Sequence, residues 1–499
     1  MATIETLLLP LATRPEQLWT AVAQVTHRWL AQRQVHGADA VVLLPFAELM
    51  MPARRALAEV SGWLPRVHTP RTLAAALGPP LPRGPGEITG DAAIDRATAR
   101  ELLRGHAWAA AWRQRDPRAF DAALHRLVRT AQMLRQAALS LPPAQRASWW
   151  DQARGQVGTG GMGATDRLLL QAAIEWAALS QQADTDSLYA HRAGACVVVT
   201  LGGDDAVALN VLRDAAQHDV PALHLSADPP ALDPFDEWPE QCGFEVEVAP
   251  DAETEAMATA WHIAQQVHGG ATPIALVAQD RALVRRVRAL LERMHIDVVD
   301  ETGWSLSTTR AGAHATAALR AARAREPCDD VLDWLKADLG DDTAAELSLL
   351  ERLWRGARVV DARAREQALA LWQREQARLD AFVRPGPRML GRWLQAFDTL
   401  LFGAAHSAAW RDDPAAMQLR RALHLHEAGE GAWSAAMTSR WLLDEFSAWV
   451  DATLEEAAFV PPRSEHVSVV VTPLPRAIGR TFAVALLPGA DEQRLGPLP

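Results

Sequence analysis

The densest run of chemically useful side chains is "DRALVRRVRALLERM". Arg281, Arg285 and Arg288 recur there at helical spacing, so one face of a helix would carry all three. A row of guanidinium groups can hold nucleic-acid phosphates. It can equally be the solvated side of a helix whose inner side is Val284, Val287, Leu291 and Met294. Other clusters offer less. "LGGDD", 201–205, follows an apolar run and opens a helical pattern, as an anion-binding turn would. Its two aspartates repel an anion, so a capped turn is expected, with Asp204 as the cap. "GQVGTGGMG", 155–163, follows a helical pattern and reads as a loop between helices. In "HLHE", His424 and His426 point apart on a helix, and Glu427 adds no geometry for a metal. The aspartates of "CDDVLDWLKADLGDD" read as a solvated helix face.

Lysine chemistry is nearly excluded. The chain has 50 basic residues, and Lys336 is its single lysine. An ATP phosphate cradle, GxxxxGK[ST], needs a lysine directly after glycine; no Gly-Lys pair occurs, and the first apolar strand runs instead into "VVLLPFAEL". No bound cofactor is therefore expected in this chain. The net charge of −11 argues against a uniformly basic surface and leaves room for a local basic groove. With 49% hydrophobic and 22% charged residues the composition is globular, and the length suggests roughly two to four domains. Cys196, Cys242 and Cys328 are too scattered for a zinc knuckle or a disulfide framework, so a reduced, cytoplasmic setting is expected. The start, "MATIETLLLPLATRP", lacks the basic flank of a signal peptide, and no apolar run approaches roughly 18 residues.

Several stretches must position these residues. Residues 41–44 and 196–200 are continuous apolar runs, as in strands buried on both faces, and each is followed by a helical pattern. "PALHLS" reads as another strand. "DAETEAMATAWHIAQQVHGG" reads as a helix with Met257, Trp261, Ala264 and His268 recurring on one face, ended by Gly269-Gly270. Residues 274–278 form a strand, the arginine helix follows, and "HIDVVDETG" is a strand and turn. This alternation predicts parallel sheets covered by helices. Residues 91–183 and 326–460 are mainly helical, entered or left through "GPPLPRGPGEITG" and "FVPPR". The simplest organisation has two α/β domains, each interrupted by a helical insertion: 1–85 with 184–245 around 86–183, and 246–325 with 463–499 around 326–462.

This layout resembles the superfamily-one helicase plan of two RecA-like parallel-sheet domains, each with an inserted helical subdomain. It is similar in particular to the AddB-type inactivated helicases grouped with PD-(D/E)XK nucleases as probable DNA repair proteins. Residues 251–309 and 467–497 carry the resemblance; "VSVVVTPLPRAIGRTFAVALLPGADEQRLGP" is similar to the strand–loop–strand that contacts DNA and nucleotide in active helicases. Thr472 and Gly479 match that pattern, whereas Leu474 and Ile478 replace its histidine and lysine, and Gln279 stands where an earlier strand ends in arginine. The nuclease signature needs (D/E)xK; Asp333 lies one residue too far from Lys336.

The resemblance implies a non-motor, DNA-binding scaffold in a repair or recombination helicase–nuclease system. Its DNA-contact candidates are Arg281, Arg285, Arg288, Thr472 and Arg480. ATP and magnesium are expected only in a motor partner, a nuclease or helicase subunit is the expected protein partner, and no membrane is involved. Because "AVALLPGADEQRLGPLP" matches the later part of the second motor domain, the nuclease domain is expected beyond it, which leaves a truncated gene remnant as one alternative. The other is an α/β enzyme with a pocket between its sheets, for which the sequence assembles no acid, base or nucleophile set.

Overall fold

The structure is a computed structural model. It describes the chain except residues 1–2, 10–13, 61–62, 80–82, 158–162, 228–244, 325, 339–342, 358–360, 384–385, 404–407, 426–433, 463–466, 492–493 and 495–499. Cys242, the middle of the 155–163 loop, His426, Glu427, Asp341 and Asp342 lie outside the described residues.

Strands β1 (Ile4–Leu8), β2 (Ala40–Leu43), β3 (Arg66–His68), β4 (Ala195–Thr200) and β5 (Ala222–Ser226) make a parallel sheet in the order β1-β5-β4-β2-β3. The continuous apolar runs have the expected cause. Val41 and Leu43 face one core while Val42 and Leu44 face another, and Cys196 and Val198 alternate with Val197 and Val199 in the same way. Helices α1 (Pro15–Gln32) and α2 (Met50–Val60) cover one face. Each fully buried Val or Leu contributes about 1.5–3 kcal/mol. Two of these strands are not apparent in the sequence reading: β1 is half-exposed at the sheet edge, and β3 is three residues long.

Downstream come β6 (Ile274–Val277), β7 (Val298–Asp300), β8 (Trp304–Ser305), β9 (Arg388–Met389), β10 (Arg440–Trp441), β11 (Ala458–Phe459), β12 (Val469–Thr472) and β13 (Val484–Leu486). A second parallel sheet has the order β13-β6-β12-β7; β9 pairs with β10, and β8 with β11, as short antiparallel pairs. The chain is thus an α/β protein with two parallel sheets, and its helices outweigh its strands.

Between β3 and β4 the described chain is helical; a short helix at Pro70–Leu77 comes first, and after it α3 (Ala92–Arg104). Asp91 caps it, accepting from the Ala93 and Ile94 amides at 2.9 and 3.0 Å. Residues 93–100 of α3 are all buried, because its faces enter two different cores. Helix α4 (Ala206–Gln217) covers the other face of the first sheet. Its cap is Asp205, not Asp204: the helix begins at Ala206, so only Asp205 reaches the Val207 and Ala208 amides, at 2.9 and 3.0 Å. Helix α5 (Ala252–His268) packs on the second sheet with Ala256, Thr259, Ala260 and Ile263. The face marked by Met257 and Trp261 is not the packed one. Met257 and Trp261 are exposed, since a close helix–sheet approach takes the small side chains and turns the bulky ones out.

Helix α6 (Arg281–Arg293) lies beside α5; α7 (Leu390–Phe402) and α8 (Leu443–Glu456) belong to the second helical region. That region is joined to the first through α3. Arg96 pairs with Glu456 at 2.5 Å, Arg100 pairs with Glu445 and sits 3.8 Å from the Trp441 ring centre, and Trp449 Nε1 donates to the Ala93 carbonyl at 3.0 Å. Many tryptophans are core anchors, with Trp334, Trp393 and Trp441 fully buried.

Candidate nucleic-acid interface

The arginine helix α6 is positioned by its own sequence. Asp280 caps it, accepting from Ala282 and Leu283 amides at 2.8 and 3.1 Å. Those two bonds, with the Arg494 ion pair, hold the Asp280 carboxyl below its ordinary value against slight burial. Leu283, Val284, Val287 and Leu291 are buried against the second sheet. The register that drives them inward leaves Arg281, Arg285 and Arg288 outward on one wall of a groove of about 280 Å³. Met294 falls outside the buried stripe and is exposed.

The opposite wall comes from the end of β7 and from β8, with Asp300, Trp304 and Thr308. Asp300 is buried and fully employed. One oxygen accepts from the Thr302 amide and hydroxyl and the Gly303 amide at 2.8–3.0 Å, and the other from Arg281 at 3.1 Å. It thereby orients the Arg281 guanidinium across the groove. Arg288 lies 4.0 Å from the Trp304 ring centre and bonds Glu292 at 2.7 Å. Arg285 is exposed and makes no ion pair among the described residues. Arg286 points elsewhere and pairs with Glu253 of α5; that hydrogen bond raises the arginine and lowers the carboxyl. Among the described lining residues, three guanidinium groups stand against Glu292 and Asp300, one positive charge in excess. Asp300 and Trp304 were not named as site residues from sequence, although "VVDETGW" held a signal: an aspartate ending a strand before Thr-Gly makes a side-chain-capped turn.

The other two candidates do not join this groove. Thr472 ends β12, which lies between β6 and β7, so it is fully buried, and its hydroxyl has no hydrogen-bond partner among the described residues. A central strand puts its last side chain in the interior rather than on a polymer-binding surface. Arg480 is claimed by Glu301, which it grips through both terminal nitrogens at 2.7 and 2.9 Å.

The loop between these two residues packs on the first sheet's side of the molecule. Trp19 Nε1 donates to the Gly479 carbonyl at 2.7 Å, and the Thr481 hydroxyl to Glu16 at 2.7 Å. Gly479, at φ +78°, lies so close to Leu201 that a Cβ would come within 2.4 Å of its Cδ2. Gly202, the first glycine of the "LGGDD" turn beside it, faces Pro475 in the same way. The loop is therefore a packed joint between the two sheets at these residues.

Elsewhere, His424 is engaged with Asp91 at 3.0 Å, and Lys336 with Glu351 at 2.9 Å. Among the described residues, no group of three or more His, Cys, Asp or Glu is placed to hold a metal ion, and no helix is long and apolar enough to cross a membrane. Compared with known proteins, the chain matches no family model and no curated protein.

Proposed function

We propose that the chain is a non-motor, helicase-like scaffold that binds DNA beside an ATP-hydrolysing or nuclease partner, its two sheets serving as RecA-like domains with helical insertions. The observation that carries the reading is the α6 groove, where Arg281, Arg285 and Arg288 line one wall and Arg285 has no carboxylate partner among the described residues. Guanidinium groups at that spacing suit successive phosphates and carry no base preference, so the binding is to the backbone. Two further features support a scaffold. The joint formed by residues 473–481 fixes one sheet against the other at the loop that the resemblance ties to nucleotide and DNA. The buried ion pairs from α3 to α8 join the helical regions. ATP and magnesium belong, in this account, to the partner.

The test is fluorescence anisotropy with a labelled duplex over a range of salt, alongside an ATPase assay on the purified chain. The expected result is duplex binding that weakens with salt, with no ATP turnover. Robust turnover, or binding indifferent to salt, would sink the proposal.

A further inference from the structure

A second basic cleft lies in the other helical region, where β9 and β10 meet the start of α7. It is open, has a volume of about 570 Å³, and takes Arg388 from β9, Arg440 from β10 and Arg392 from the first turn of α7. Among the described residues that line it, Asp380 is the one carboxylate against three guanidinium groups. Arg388 is held from below: it donates to the Ala381 carbonyl and lies 4.8 Å from the buried Trp393 ring. Arg392 reaches Gln395 at 3.2 Å, and Arg440 is exposed with no ion pair among the described residues.

Converging like charges repel, and Asp380 alone among the described lining residues opposes the three arginines. Their location adds to the imbalance. The first turn of α7 has no acidic residue and no side-chain cap, although a helix N-terminus favours negative charge. The segment between α7 and its neighbours is otherwise well built: the Leu390 amide bonds the Ser439 carbonyl at 2.9 Å, and Trp393 Nε1 bonds the Trp441 carbonyl at 2.9 Å. Arg388 thus stands on a buried aromatic ring, and the three guanidinium groups together line an open cleft.

We infer that this cleft is a phosphate-binding site, with Arg392 and Arg440 as the principal ligands and Arg388 as the fixed third. The inference does not rest on the α6 groove. A phosphate could come from a nucleic-acid backbone or from a free phosphorylated compound, and the two sources separate by experiment. Calorimetric titration of the wild type and of Arg392→Ala/Arg440→Ala with pyrophosphate, and in parallel with a duplex of about 20 base pairs, gives the two arms. Losing two charge-assisted bonds should weaken the bound ligand at least about tenfold. A loss confined to the duplex assigns the site to a backbone; a loss with pyrophosphate assigns it to a free phosphorylated compound. In an Arg281→Ala/Arg285→Ala/Arg288→Ala background, adding Arg392→Ala/Arg440→Ala should still lower pyrophosphate or duplex affinity, which keeps failure of this site distinct from failure of the groove. Should the double variant melt early, phenylglyoxal modification of the wild type, mapped by mass spectrometry, decides the matter. Protection of Arg392 and Arg440 by pyrophosphate or duplex supports the site. No binding of either ligand, unchanged affinity in a folded double variant, or no protection overturns it.

Discussion

On α3, Arg96 and Arg100 lie out of solvent, each against a carboxylate of α8; on α6, Arg281, Arg285 and Arg288 stand along a groove with fewer carboxylates than cations. The residue type is the same and the physical situation is opposite. Burial makes an unpaired guanidinium costly, so the α3 arginines need their partners and act as rivets between the helical regions. Exposure makes a missing partner cheap, so Arg285 can remain without a carboxylate among the described residues. What separates a structural arginine from one left available to a ligand is therefore the state of its carboxylate partner and its distance from water, neither of which composition reveals.

Breaking the riveted side should give the largest effect. Arg100→Ala takes away the nearer cation of Glu445, leaving Arg113 at 3.6 Å, and empties the contact with Trp441, and is expected to cost about 3 kcal/mol in denaturant unfolding. Next is Asp95→Ala, which removes one carboxylate accepting from the Thr89 amide and hydroxyl, the Gly90 amide and Gln132. A loss of about 1–3 kcal/mol is expected by the same measurement.

The turn before α3 gives a pH test whose sign differs between two neighbouring acids. Burial pushes the Asp95 carboxyl up, outweighing its hydrogen bonds, so its ionised form weakens the fold and that penalty eases as the pH falls. For Asp91 burial also pushes upward, but the His424 contact and the Ile94 and Ala93 amides prevail and hold it below 3.8. Its contribution is present above 3.8 and is lost as the pH drops through the lower folded value. Asp91→Asn should therefore be less stable than the wild type at neutral pH, with the gap closing in acid-unfolding curves below about pH 4. The smallest stability effect belongs to the groove: Arg285→Ala should shift unfolding by less than about 0.5 kcal/mol while lowering duplex affinity.

The sequence carried the sheet-and-helix alternation because parallel strands buried on both faces leave continuous apolar runs, as in "AVVLL" and "ACVVVT". It did not carry β1 or β3, which sit at sheet edges where half-burial and shortness erase that signal. The packed face of α5 was not legible either: the spacing of Met257, Trp261, Ala264 and His268 marks one face, whereas Ala256, Ala260 and Ile263 make the approach to the sheet. Of the site, the three arginines of α6 were legible from periodicity. Asp300 and Trp304 were not, because the opposite wall depends on tertiary placement. Nor was the pairing of Arg480 with Glu301, which are remote in sequence and meet only once β12 and β7 are aligned.

The most direct test of the groove is the slope of duplex affinity against salt for the wild type and for Arg281→Ala/Arg285→Ala/Arg288→Ala. Each phosphate contact contributes about 0.9 to that slope. The expected result is a folded triple variant, less stable because Asp300 loses Arg281, with weaker binding and a slope reduced by about 2–3. A folded triple variant with the wild-type slope and affinity would contradict the account.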